Sequence, residues 1–410
     1  MHLLIRLFAV IPFLLLLKAC AMPPDPGYES QQPYYPLPEE LTAGDIFHLP
    51  TGYQVTHDAV IDHARRAQVV YVGEIHDNLS AHHLQVDILK SLTATNPGKV
   101  TVAMEMFTPS QQSVLDRWSA GELSEKEFLK QVDWYATWGV DFDLYRDLLL
   151  TCRDQGIKIL AVNAERPVRE ALSRTPIEEL PDQLRQRLPE MNFSDPHYHA
   201  MVTAFAAGHP MGQFESDGFL RVQTLWDETM AANLADYLLS QGEDHQVMVV
   251  AGNNHIQYGF GIPRRLFRRL PVSYLLIGTT ETAVSAHSDP DRVMNINSPE
   301  HPLLPYHFLY ITDYEPLPRS GVRLGVVITS DSESGVLIEK VLPGSVAAQQ
   351  GFQPGDRLLS LDQEPLEDTF DLIHALRQKQ IGSTAALLLL REQKEITVMI
   401  EFTAENQQHE

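Results

Sequence analysis

Between about Gly44 and Tyr314, short apolar runs rich in β-branched residues alternate with longer stretches whose apolar positions recur every three or four residues. The short runs predict strands over 68–72, 100–104, 157–162, 246–250 and 272–277. The longer stretches predict helices near 80–95, 109–118, 124–132, 143–155, 166–174, 195–207 and 219–241. Strands that are apolar throughout, as VVYV and VMVVA are, bury both faces, which is the habit of parallel sheets. The pattern therefore predicts an α/β domain over 44–314, a mostly parallel central sheet flanked by helices, with a helical insertion.

Beyond about residue 319 the pattern changes. RLGVVI and GVLIEKV are followed by a glycine-punctuated turn region, an amphipathic helix over about 369–379, and the runs AALLLL and KEITVMIEF. This pattern predicts a second, β-rich domain over 319–403.

At the other end, Arg6 precedes an apolar run from Leu7 to Leu17, too short to span a bilayer comfortably. Residues 1–20 read as a secretory signal peptide. Leu17-Lys18-Ala19-Cys20 is similar to a bacterial lipobox, which makes Cys20 a lipidation site and the membrane a partner through a lipid anchor. Ala19-Cys20-Ala21 also reads as an A-x-A cleavage site that releases a soluble periplasmic protein, so both readings stand. Residues 21–43 form a Pro-rich tether, with six prolines and no helical or alternating pattern in 23–40. The expected location is the bacterial cell envelope, as an outer-membrane lipoprotein or in the periplasm.

Composition narrows the chemistry. The 410 residues carry 31 Lys and Arg against 54 Asp and Glu, a formal charge of −23, which disfavours a phosphate-tracking surface and hence nucleic acid. Two cysteines, Cys20 and Cys152, leave no room for a disulfide framework, a four-cysteine zinc site or a thiolate-ligated cluster.

The residues just past each strand are the most informative. VVYV runs into Gly73-Glu74-Ile75-His76-Asp77, VTVAM into Glu105, KILAV into Asn163-Ala164-Glu165 and VMVVA into Gly252-Asn253-Asn254-His255. Ligands of open α/β sheets bind outside the carboxyl ends of the strands, so these residues converge on one crevice. The expected cluster is Glu74, His76, Glu105 and His255, with Gly73, Asn163, Glu165 and Gly252 as further candidates. Asp227 joins them, sharing a stripe of the 219–241 helix with Gln223 and Met230. Glycine before each turn is expected to open backbone geometry closed to other residues and to let a ligand approach the main chain. Imidazoles beside carboxylates suit a divalent metal such as Mn, Fe or Zn, or proton transfer. Asp77 and Asn78 also read as caps of the next helix.

The paired Gly-x-x-His elements 73–76 and 252–255, with Glu105 between them, resemble the superfamily joining the ChaN haem-binding lipoproteins, the Tiki and TraB proteins and the erythromycin esterases. The resemblance is nearest to ChaN, covers about 44–285, and includes VGEIHDNLSAHHLQ, VAMEMF, QTLWDETMAANL and AGNNHIQYGFGIPRRL. It implies haem binding in iron uptake, haem held between two protomers of a homodimer, a tyrosine on the iron and histidine at the propionates. Tyr135, Tyr145, Tyr198 and Tyr258 are the candidate tyrosines, with His199 and His209 beside them in the insertion. The Tiki and esterase relatives imply an alternative, a metal-dependent hydrolase that uses the strand-end histidines and glutamates. The second domain resembles a bacterial PDZ domain through PGSVAAQQGFQPGDRLLSL. That resemblance implies a loop, Arg323-Leu324-Gly325-Val326, that receives a C-terminal carboxylate, and a peptide or envelope-protein partner adding as a strand beside the helix that carries His374.

Overall fold

The computed structural model describes residues 37–38, 40–208, 216–282, 301–318, 321–331 and 333–403. The signal segment with Cys20, most of the tether, and His209 lie outside the described residues.

In chain order the first domain contains β1 (Ile46–His48), β2 (Tyr53–Gln54), α1 (His57–Ala64), β3 (Val69–Glu74), α2 (Leu79–Thr95) and β4 (Val100–Met104). Then come α3 (Gln112–Ser119), α4 (Glu125–Gln131), α5 (Trp134–Thr137), α6 (Phe142–Asp154), β5 (Lys158–Ala161), α7 (Arg166–Arg174) and α8 (Asp182–Arg185). The last part is α9 (Pro196–Gly208), α10 (Ser216–Ser240), β6 (Gln246–Gly252), α11 (Ile262–Arg269), β7 (Tyr274–Glu281) and β8 (Phe308–Thr312).

These strands make one sheet in the order β2-β1-β8-β7-β3-β6-β4-β5. Pairings from β8 through β5 are all parallel, and only β1 pairs antiparallel, with β2 and β8. The expected α/β architecture is therefore present. Alternate residues of each central strand feed two separate cores. Val70, Val72, Val102, Met104, Met248 and Val250 pack towards α2, α3 and α6, whereas Val69, Tyr71, Ala103, Val247, Val249 and Ala251 pack towards α10 and α11. Two-faced burial is why these strands carry no polar alternation.

Some elements differ from expectation. The helix predicted from residue 109 begins as a 3₁₀ turn, Pro109–Gln111, before α3. β1 and β2, three and two residues long, are too short to show an alternation. α11 hid behind four arginines, of which Arg265 is buried against the fully buried Glu228, 3.2 Å away.

The second domain contains β9 (Val326–Thr329), β10 (Val336–Val341), α12 (Val346–Gln349), β11 (Arg357–Leu361), β12 (Glu364–Pro365), α13 (Thr369–Arg377), β13 (Thr384–Arg391) and β14 (Lys394–Glu401). Its antiparallel sheet runs β14-β13-β11-β10-β9, with β12 on β11, around a core that includes Val336, Leu358, Leu372, Leu376 and Leu387. β9 is an edge strand, and α13 borders both of its ends. Thr369 N donates to Ser330 Oγ at 3.1 Å and Val322 N to the Leu376 carbonyl at 3.1 Å. At the turn before β9, Gly325 has φ +77° and an added Cβ would strike Ser345, so this loop depends on glycine.

Candidate functional site

Register brings the strand ends together. Glu74 pairs with Gly252 across β3 and β6, and Met104 pairs with Val250, which sets Glu105 beside Gly252. Asn78 caps α2, its Oδ1 accepting from Ser80 N at 3.0 Å, and this fixes the turn carrying His76.

Two charge networks meet at Gly252. In the first, Glu74 is buried and its carboxylate accepts from His76 Nδ1 at 2.7 Å, Tyr145 OH at 2.7 Å and Gln85 Nε2 at 2.6 Å. His82 Nε2 donates to the His76 carbonyl at 3.0 Å. Burial pushes the Glu74 carboxyl up, but the imidazoles of His82 and His76 and the Gln85 amide outweigh it, so the net direction is down. For His76, burial lowers the imidazole, while Glu74 and then Glu105 more than reverse it.

In the second network His255 lies between two carboxylates, with Nδ1 2.7 Å from Asp227 Oδ1 and Nε2 3.3 Å from Glu105 Oε1. Glu105 Oε2 also accepts from Gly252 N at 2.8 Å, and Asp227 Oδ2 accepts from Tyr198 OH at 2.6 Å. Burial would lower His255, yet Glu105 and Asp227 hold it well above its ordinary value. Burial would raise Glu105, and the His255 charge instead brings it down to about 2.

The four strand-end residues and Asp227 are thus brought into one crevice. The glycines serve differently from expectation: Gly73 and Gly252 do not adopt positive φ. Their missing Cβ atoms make room for the protein's own side chains. The Asn253 amide oxygen lies over Gly73, and His76 Cε1 and Nε2 lie 3.1 Å from where a Cβ of Gly252 would stand. Asn163 supports the crevice from behind, donating to the Glu105 carbonyl at 2.8 Å. Glu165 does not join it. Its carboxylate turns to Ser110, accepting from the backbone N at 2.9 Å and from Oγ at 3.1 Å, and so steadies the 3₁₀ turn.

Both His255 nitrogens and His76 Nδ1 are committed to carboxylates, and among the described residues no group of three or more His, Cys, Asp or Glu is placed to hold a metal.

A family model described as haem-binding uptake, Tiki superfamily, ChaN matches residues 60–266, half of the chain. The chain belongs to this ChaN family. A PDZ model matches residues 322–402. The solved structure of ChaN of Campylobacter jejuni, described as showing cofacial haem binding, superposes with a TM-score of 0.50 at 17% identity, covering 66% of this chain and 97% of that one. Among curated proteins, RETICULATA-RELATED 5 of Arabidopsis thaliana is 23% identical over 75% of this chain and 41% of its own length. The putative serine protease HhoB of Synechocystis is 35% identical over 23% of each chain. The periplasmic serine endoprotease DegP of Salmonella typhimurium is 35% identical over 21% of this chain and 18% of its own. The chain therefore spans less than half of the length of each of these curated relatives.

With a ChaN-like haem-binding domain in view, the tyrosines separate by environment. Tyr145 and Tyr198 are buried donors to Glu74 and Asp227, and burial together with the neighbouring carboxylate holds each phenol far above its ordinary range. Tyr135 is stacked against Phe370 of the PDZ domain, ring centroids 5.5 Å apart. Tyr258 alone of the four is half-buried in the first domain's own surface, and none of the hydrogen bonds among the described residues engages its hydroxyl. Its backbone is left-handed, φ 58° and ψ 0°, a conformation that bulky residues avoid at a cost of about 1–3 kcal/mol.

His301 and Phe260 flank Tyr258, with ring centroids 4.5 Å and 5.5 Å away. His197 stacks on Phe260 at 5.7 Å, but His199 is exposed and reaches only Thr203 of its own helix, at 3.5 Å. Both ring nitrogens of His301 are shut from solvent with no hydrogen-bond partner. Sequence reasoning missed His301, which sits in a stretch without periodicity, and His82 and Gln85, whose three-residue spacing in the first turns of α2 was a readable signal.

Proposed function

We propose that this protein binds haem through Tyr258 and serves haem or iron uptake in the bacterial cell envelope, its PDZ domain docking the C-terminus of a partner protein. One observation carries the reading: a tyrosine held in a strained backbone conformation, its hydroxyl uncommitted, beside an imidazole with two unpartnered nitrogens. Strain of this kind persists where the surroundings impose it, and it clusters at ligand sites.

The residues fit the group. The Tyr258 hydroxyl, as a phenolate, would suit the iron of ferric haem. Half-buried Tyr258 presents aromatic surface to a flat ring with the fully buried Phe260 stacked behind it, and the exposed His197, its ring centroid 6.2 Å from that of His301, offers an N–H donor to a carboxylate such as a propionate. Bound haem would supply the iron and the apolar macrocycle; the chain orients it and excludes water.

The crevice networks then acquire a role. His255 and Asp227 anchor the loop that carries Tyr258, since a Cβ at Gly261 would strike the His255 carbonyl and would stand 3.0 Å from Asp227 Oδ1. Tyr198 links the two sites, packing in one cluster with Phe260 and Tyr258 while donating to Asp227. Leu303 and Leu304, 48% and 40% exposed, provide apolar surface beside His301 on which two copies pair around the cofactor. A lipid anchor at Cys20 fits the tether and the N-terminal apolar run.

Addition of haemin to the purified mature protein tests the proposal. A Soret band that saturates at a defined stoichiometry, with a rise in sedimentation coefficient, is the expected result; a spectrum equal to that of free haemin contradicts it.

A further inference from the structure

The PDZ helix α13 does not stand free of the first domain. Phe370, 9% exposed, is packed into the core of the α/β domain and stacks on Tyr135 of α5. The Arg377 guanidinium lies 5.3 Å from the centroid of the same tyrosine ring and is ion-paired with Asp141. Lys130 of α4 reaches Asp368 and Asp371 at 3.1 Å each, and Lys126 reaches Asp371 at 3.3 Å.

The two groups gripped by Arg377 each begin a short path to the crevice. Tyr135 belongs to α5, whose C-cap Trp138 sets its indole edge-on to the His76 ring, centroids 5.3 Å apart. Asp141 is the N-cap of α6, its Oδ1 accepting from Asp143 N at 3.0 Å, and one turn later Tyr145 donates to Glu74. Both paths end on the Glu74–His76 pair. They are made of packed rings and a capped helix, which transmit displacement because close-packed interiors do not deform continuously.

We infer that α13 is a lever on the crevice: through Tyr135–Trp138 and Asp141–Tyr145 it sets the geometry of the Glu74–His76 pair, so that peptide capture by the PDZ domain adjusts the α/β domain's site. A peptide that adds beside β9 packs against α13 next to the face bearing Phe370 and Arg377, which makes such capture the natural perturbation. The lever acts whatever ligand the crevice serves.

Isotope-labelled mature protein tests it by NMR without any ligand, through the His76 ring and Trp138 indole signals. In Arg377→Ala and Phe370→Ala both signals shift, and Arg377→Lys, which keeps the charge, restores most of the Arg377→Ala shift. Asp331→Ala, which breaks an ion pair of 2.6 Å to Arg357 within the PDZ domain, moves neither. His76 and Trp138 signals that stay put in both α13 variants overturn the inference, as does an equal shift in Asp331→Ala. A variant whose PDZ domain unfolds has lost the grip altogether, and unmoved signals there overturn it equally.

Discussion

The ring of Tyr258 lies 4.5 Å from that of His301, at an angle of 59°, although the two stand 43 positions apart along the chain. The contact is fixed by the backbone, Tyr258 N donating to the Pro305 carbonyl at 2.8 Å. His301→Ala removes the imidazole and leaves the phenol. It is expected to weaken haemin binding by about two- to tenfold, the worth of an aromatic ring contact, and to leave the absorption maximum of the complex in place. Spectroscopic titration checks both.

Burial raises the Tyr258 phenol, so in the free protein it is protonated at neutral pH, and ligation as phenolate releases that proton. Haemin affinity is therefore expected to rise with pH across the neutral range. Titrations on either side of neutrality read the slope, and a flat profile excludes proton release on binding.

Folding stability should report the His255 network. The folded value of His255 lies well above 6.5, so its contribution is complete below pH 6.5 and is lost as pH rises through the folded value. Glu105 falls from 4.5 to about 2, so its contribution is complete above pH 4.5 and is lost as pH falls towards 2. Thermal melts are thus expected to peak between these limits. Asp227→Ala leaves the buried charge of His255 with one partner fewer and is expected to cost about 3–5 kcal/mol near neutral pH, measured by denaturant unfolding.

Much of this was legible in the sequence. Parallel strands that bury both faces announce themselves as unbroken apolar runs, and the rule that such strands bear ligands at their carboxyl ends placed Glu74, His76, Glu105 and His255 in one crevice, with Asp227 added from its stripe on the long helix. What was not legible is which side chains those groups choose. Glu165 sits at a strand end like Glu105, yet it turns to Ser110, because a neighbouring turn offers it a backbone amide. Tyr145 and Tyr198 differ from Tyr258 only in burial and partners, which no spacing records.

Two glycines provide a test of packing that is independent of ligand. A Cβ at Gly278 would run into the ring carbons of Tyr306, which sits in a closed core. Gly278→Ala is expected to cost about 1–3 kcal/mol by overpacking. At Gly252 the obstacle is the His76 ring at 3.1 Å, so Gly252→Ala shifts the His76 resonance at a smaller cost in stability. Chemical unfolding and NMR distinguish the two.

The central claim is that Tyr258, and not another tyrosine, receives the haem iron. Haemin titration of Tyr258→Phe beside Tyr145→Phe measures it directly. The expected result is loss of the ligated Soret band in Tyr258→Phe and its retention in Tyr145→Phe; an unchanged spectrum in Tyr258→Phe contradicts the account.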